Sequence, residues 1–257
     1  MTAPLLNVTS SLTTNLPDTP LASFTYSHLL LNHRVQWHML HSLLSLSKNS
    51  QPPPPTTVNE TNCCGERKAS PPRGVEALPR MWELFRILYD HHQAVEDKFI
   101  LPALACPEAP QVAEDHAAFS ALLAELSVLS EEKNFDGFHE KLTVFGKRYV
   151  QHTQMEEATM VVKAQALPDD VRRRISQSSA SYFKAVPNGA WMLLSMRDIA
   201  GVTGDEAIWK GSLSWFVRTV VAGVFLSFDA TYAEYAQLFP LPLRENVWLD
   251  DLGKLLQ

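Results

Sequence analysis

Two histidine–glutamate pairs recur at a four-residue spacing. They are His92 and Glu96 in "DHHQAVEDKF" (90–99), and His152 and Glu156 in "YVQHTQMEEATM" (149–160). Residues four apart on a helix share a face, one turn above the other. Each pair therefore sets an imidazole beside a carboxylate, a donor set suited to a transition-metal ion. Two more histidines, His33 and His116, fall on the apolar stripes of other helix candidates. One histidine on an apolar face is ordinarily a hydrogen-bonded core residue. Four of them with two carboxylates call for a cation, because burying an uncompensated carboxylate costs several kcal/mol. Helix bundles build dinuclear carboxylate sites from such inward-facing pairs. Imidazole with carboxylate suits iron, manganese or zinc, and two bridging carboxylates put iron ahead of the other two.

Those side chains need helices to carry them, and helical periodicity is strong while strand signals are weak. The first stripe reads Tyr26, Leu30, His33, Trp37, Leu40, Leu44 within a helix over 21–47. A second helix from about Arg80 to Leu101, stopped by Pro102, carries Met81, Leu84, Leu88, His92, Val95 and Phe99, with Glu96 beside them. The third, about Pro110 to Ser130, carries Val112, His116, Phe119, Leu123 and Leu126. The fourth, about Asn134 to Ala166 with a break near Gly137, carries Phe145, Tyr149, His152, Glu156 and Thr159. Steps of three and four are those of a core-facing helix. Further helices are expected near 168–185, with Pro168 in the first turn, and over 190–200. Thr203 to Glu206 reads as a capping box opening a final helix toward Phe239.

The chain is thus expected to be all-α: an up-down four-helix bundle over 21–166 with a C-terminal helical extension over 167–257 packing on it. Residues 1–20 read as a disordered leader, and 48–79, with four consecutive prolines, as a long mobile connection. At 257 residues, 46% hydrophobic and 19% charged, the chain has the composition of a globular protein. A formal charge of −6 without a basic run argues against nucleic acid or an anionic membrane as partner. The leader lacks a secretory signal pattern, and the apolar run from Leu213 to Phe228 is short and interrupted by Arg218. With three cysteines, two of them vicinal (Cys63, Cys64), a disulfide framework is not expected and a cytoplasmic location fits.

The residues quoted above resemble a hemerythrin-like (HHE cation-binding) domain. The likeness is carried by "LLLNHRVQWHML", "HHQAVEDKFILPAL", "AEDHAAFSALL" and "YVQHTQMEEATM", and it covers about residues 21–166. It implies a four-helix bundle around two non-haem iron ions with an oxo or hydroxo bridge. His33 and His92 would serve one iron, His116 and His152 the other, with Glu96 and Glu156 bridging. Dioxygen or peroxide is the small ligand implied. Oxygen carriers of the family have another histidine four residues after the third-helix one, where this chain has Ser120. Their fourth helix also uses a longer histidine-to-aspartate spacing. The pattern is closer to the domains of iron-sensing ubiquitin ligases, but with no RING, zinc-finger or F-box part here, ligase function is not carried over.

The expected function is therefore a non-haem di-iron protein that binds or senses oxygen or iron. The alternative is a di-iron oxidoreductase, an oxygenase or peroxidase, acting on a small apolar substrate. A metal-free interaction module fits poorly with paired carboxylates on inward stripes. Of the neighbouring residues, His91 lacks a carboxylate at i+4 and is expected at the helix edge or behind a ligand. His38 is the substitute if the first-helix register slips. Asp97 and Glu157 are expected to be solvated, or else to orient a ligand imidazole. His139 is expected on a surface loop, and the aromatics Trp209, Trp215, Phe216, Phe225, Phe228, Tyr232 and Tyr235 in a core covering the bundle.

Overall fold

A computed structural model describes residues 20–48, 74–105, 107–184, 190–212, 230–241 and 247–257. The described residues are helical with no strand, so the chain is all-α there. The leader, the four prolines, Cys63-Cys64, Trp215, Phe216, Phe225 and Phe228 lie outside them. No helix among the described residues is long and apolar enough to cross a membrane.

Four long segments carry the candidate site: α1 (Pro20–Lys48), α2 (Leu78–Val95), α4 (Ala109–Glu131) and α5 (Phe135–Ala166). α1 packs on α2 and α5, and α4 also packs on α2 and α5, so contacts run in a closed ring α1, α2, α4, α5. The stripe on α4 is buried as spaced, at Val112, His116, Phe119, Leu123 and Leu126. From Leu29 to Leu40 every side chain of α1 is buried, not one stripe alone. The reason is that α6 (Asp169–Lys184), α7 (Ala190–Thr203), α8 (Glu206–Ser212) and α10 (Val247–Leu255) all pack against α1. Its outer polar residues Asn32, Arg34, Gln36 and His38 are thereby enclosed.

Several boundaries differ from the sequence reading. The second helix does not stop at Pro102. A π-helical turn, Glu96–Ile100, follows α2 and leads into the short α3 (Leu101–Leu104), which ends at Ala105 with φ of 43°. A widened turn just before Pro102 relieves the clash of its ring with the carbonyl four residues back. α5 is not broken at Gly137. Asn134 caps it instead, accepting from the Gly137 N–H at 3.1 Å. His139 accordingly sits on a helix, half-buried, with Nδ1 2.9 Å from the Ser47 hydroxyl. Pro168 lies just ahead of α6, its carbonyl accepting from Val171 and Arg172. Thr203 forms no capping box, since its hydroxyl engages the Ile199 carbonyl and the Asp205 carboxylate. The 3-10 turn Gly74–Ala77 precedes α2, and α9 (Ala230–Leu238) and α10 are separate elements.

An aromatic layer fills the ring of helices beside the histidines. Phe145 stacks on Tyr149 at 5.3 Å, and Phe119 meets Phe145 edge-on at 5.6 Å. Phe85 and Tyr89 close the layer from α2, at 5.9 Å from Phe145 and 5.7 Å from Tyr149. Such pairs contribute roughly 0.5–1.5 kcal/mol each beyond area burial. α10 reaches the ring through Leu256, whose Cδ2 would lie 2.8 Å from a Cβ placed on Gly146. A bulky residue there overpacks the contact of α5 with Leu256, just past α10, and with Leu40, so Gly146→Leu should cost roughly 1–3 kcal/mol in urea unfolding. A variant as stable as wild type would show that Leu256 is not held against Gly146.

His38 gives a second check. Burial holds its pKa at about 4, with His41 adding to the fall and the Pro240 carbonyl opposing it. The unfolded chain protonates this ring near pH 6.5, so between about pH 6.5 and 4 the unfolded state binds the extra proton. Stability through His38 is thus fully present above that window and lost as pH falls, by up to about 1.4 kcal/mol per pH unit. His38→Gln should flatten the acid limb of the stability–pH curve. An unchanged limb would count against the buried neutral ring.

Candidate metal centre

The structure brings His33, His92, Glu96, His116, His152 and Glu156 together, all buried. Two groups of their donor atoms are compact enough to hold an ion. One is His33, His92, Glu96 and Glu156, and the other is His116, His152 and Glu156. In the first, His33 Nε2 lies 3.0 Å from His92 Nε2 and 3.4 Å from Glu156 Oε2. His92 Nε2 is 3.2 Å from Glu96 Oε1. In the second, His152 Nε2 lies 3.2 Å from His116 Nε2 and 3.0 Å from Glu156 Oε1. The other oxygen of Glu96, Oε2, is 3.5 Å from His116 Nε2. Each glutamate thus turns one oxygen to each pair of histidines.

The outer nitrogens of three rings are held by carboxylates. His33 Nδ1 donates to Glu157 at 3.0 Å, His116 Nδ1 to Asp97 at 2.8 Å and His152 Nδ1 to Asp115 at 3.1 Å. An ionised carboxylate only accepts, so these contacts place a proton on Nδ1 and, in the neutral ring, leave the lone pair on Nε2. The lone pairs of His116 and His152 then face each other at 3.2 Å. Glu96 Oε1 and both oxygens of Glu156 are buried without a hydrogen-bond partner of acceptable angle, although nitrogens lie close. Close but misaligned donors are what a shared ion produces. Two ligands at right angles on an ion at about 2.1 Å sit roughly 3.0 Å apart. The donor set therefore fits a metal ion in each half.

Local structure explains which carboxylates arrive. The π turn begins at Glu96, and the extra residue per turn lets Glu96 and Asp97 both face His116. Glu157 is buried, not solvated, because Arg34 of α1 grips it with two N–H groups at 3.0 and 3.3 Å. Asp97 does orient a histidine while staying partly exposed. Asp115 was not singled out in the sequence, and the only available signal was its place next to His116. Tyr89 was also missed. Its hydroxyl is buried without a partner, and burial pushes the phenol well up, with Glu96 and Glu156 adding to it. His91 stays out of the cluster, stacked on Tyr182 of α6 at 5.4 Å. His38 lies outside both groups.

The charges are strained. Burial alone would lower the His33 pKa, but Glu156 and Glu157 override it and raise it. The same contest, with Glu156 and Asp115, raises His152. Burial pushes Glu96 well up, reinforced by Glu156 and Asp97. Burial opposes ionisation of Glu156 too, yet His152 and His33 outweigh it and hold it at about 2. Two neighbouring carboxylates thus split, one favouring its proton and the other its charge, as like charges in one pocket must.

Comparison with protein-family models, with curated proteins and with solved structures finds no match for this chain.

If the outer carboxylates orient the rings toward an ion, Glu157→Gln and Asp115→Asn should each weaken divalent-metal binding roughly 10–100-fold by calorimetry. Wild-type affinity in both variants would leave them a purely structural role.

Proposed function

We propose that the chain is a hemerythrin-like protein whose α1, α2, α4 and α5 run up and down as a four-helix bundle around two non-haem iron ions. Its role on this reading is to bind or sense oxygen or iron. The observation that carries the proposal is the division of each buried glutamate between two histidine pairs, Glu96 between His92 and His116, and Glu156 between His33 and His152. His33 and His92 would hold one ion, His116 and His152 the other, with both glutamates bridging. The closed ring of helix contacts supports the bundle.

Charge supports a bound cation. Glu96, Glu156, Asp97, Asp115 and Glu157 surround the four histidines, and Arg34 offsets Glu157 alone, so carboxylates outnumber the fixed cations around the cluster. Bridging carboxylates with imidazole favour iron over manganese or zinc. When bound, an iron pair supplies one-electron redox chemistry toward dioxygen or peroxide. The chain's own part is to hold the rings by Nδ1, keep Nε2 free of protons and exclude water from both glutamates. Ser120 adds no ligand, because its hydroxyl donates to the His116 carbonyl at 2.9 Å. Sensing would follow from coupling of metal to folding: without ions the carboxylates lose their compensation and the helices loosen.

Purified protein should carry about two iron ions per chain and show near-ultraviolet charge-transfer absorption in air. Both should vanish in the double variant His92→Ala with Glu156→Ala, and chelation should lower the melting temperature of the wild type. Iron well below two per chain, together with unchanged content in the double variant, refutes the reading.

A further inference from the structure

The two ends of the site differ in exposure and in how their charges are paired. At the His33 end, the side chains of His33 and Trp37 are fully buried, and Glu157 and Arg34 keep only 6% and 9% exposure. The guanidinium lies 4.6 Å over the Trp37 ring and 3.9 Å from Asp205, so the end is plugged by a permanent cation. At the opposite end the carboxylates behind the histidines reach solvent, Asp97 with 40% of its side chain exposed and Asp115 with 21%.

An open cleft of about 550 Å³ lies on that side, between α3 and α4. Gln93, Asp97, Pro102, Ala113, His116 and Ala117 line it. Ala113 and Ala117 stand one turn apart on α4 and keep the wall low, so the cleft runs to the ring of His116, which is otherwise 4% exposed. Behind that ring are Glu96 Oε2 at 3.5 Å and the unpartnered Glu156 Oε1 at 3.8 Å from His116 Nε2. Solvent, negative charge and buried acceptors thus succeed one another along a single line.

We infer that divalent metal enters and leaves the centre through this cleft, past Asp97 and His116, and not at the His33 end. The inference rests on the metal reading above. A hydrated dication is drawn toward the solvent-reaching carboxylates of Asp97 and Asp115, whereas at the other end Arg34 and Glu157 are paired and buried, so access and exposed charge favour the cleft. The amide oxygen of Gln93 and the Asp97 carboxylate are hard donors that replace water as the ion sheds its shell. Asp97 carries out this step as well as holding Nδ1 of His116, so it is a poor site for a test variant. Gln93 and Ala117 touch no proposed ligand role.

The test uses the metal-free full chain mixed anaerobically with Fe²⁺, following the loss of unbound ion with a ferrous-specific chelating dye and counting bound ions at saturation. Ala117→Phe fills the cleft, and Gln93→Lys places a positive charge in it. Each should slow uptake, and release to a chelator, by about ten-fold while leaving the number of ions at saturation unchanged. The Gln93→Lys effect should shrink in high salt, as a screened charge must, and Gln93→Glu should accelerate uptake. Should Ala117→Phe fail to fold, the two Gln93 variants decide. Full occupancy at wild-type rates in all folded variants overturns the route but not the metal centre. No uptake by the wild-type chain overturns both.

Discussion

The whole arrangement depends on the imbalance of charge enclosed between the four long helices. Glu96 and Glu156 are almost completely buried, and their neighbours are imidazole nitrogens whose protons are held on the far side. In an apolar interior this is costly, since neither carboxylate has water to turn to. A metal-free chain can respond only by protonating, with Glu96 and the raised histidines taking up the protons. Each proton so taken competes with an ion for the same lone pairs. The site is therefore poised against its own fold unless cations occupy it.

Such a centre has to be held by something stiffer than its own contacts. The aromatic layer of Phe85, Tyr89, Phe119, Phe145 and Tyr149 provides this, and Phe119 lies 5.2 Å from the His152 ring. Trp37 ties α1 to α5 by donating to the Thr153 hydroxyl at 3.0 Å, between the levels of Tyr149 and Glu156. Tyr149 donates to Gln36, another α1 to α5 link. Polar ties through the core fix the register of α1 against α5, and a one-residue slip would carry His33 away from Glu156 and Glu157.

Much of this was legible in the sequence because helical spacing is a local property. Steps of three and four put His116, Phe119, Leu123 and Leu126 on one face of α4, and the four-residue pairs put His92 with Glu96 and His152 with Glu156. What was not legible depended on departures from ideal helix or on partners far along the chain. No spacing rule reveals the π turn at Glu96, so the approach of Asp97 to His116 could be named only as one option. Glu157 looked like a solvated neighbour because its partner Arg34 is more than a hundred residues away. The burial of every side chain over 29–40 of α1 followed from helices whose contacts with it no periodicity encodes, and a capping pattern at Thr203 lost to a tighter local bond.

The enclosure of α1 also changes what the C-terminal helices are. Arg34 holds Glu157 with two N–H groups and approaches Asp205 in the turn between α7 and α8, while Glu157 holds Nδ1 of His33. A chain of charges thus links the buried imidazole to a turn in the C-terminal part. Asp205 in turn accepts from Thr203, and Gly204 between them has φ of 75°, a conformation that a side chain would strain. Glu157 meets the outer nitrogen of His33 and Glu156 its inner one, so the ring is held from both sides and Arg34 shares its charge with the outer carboxylate. The C-terminal helices are therefore tied to the buried histidine by a chain of charges through Arg34 as well as by packing on α1.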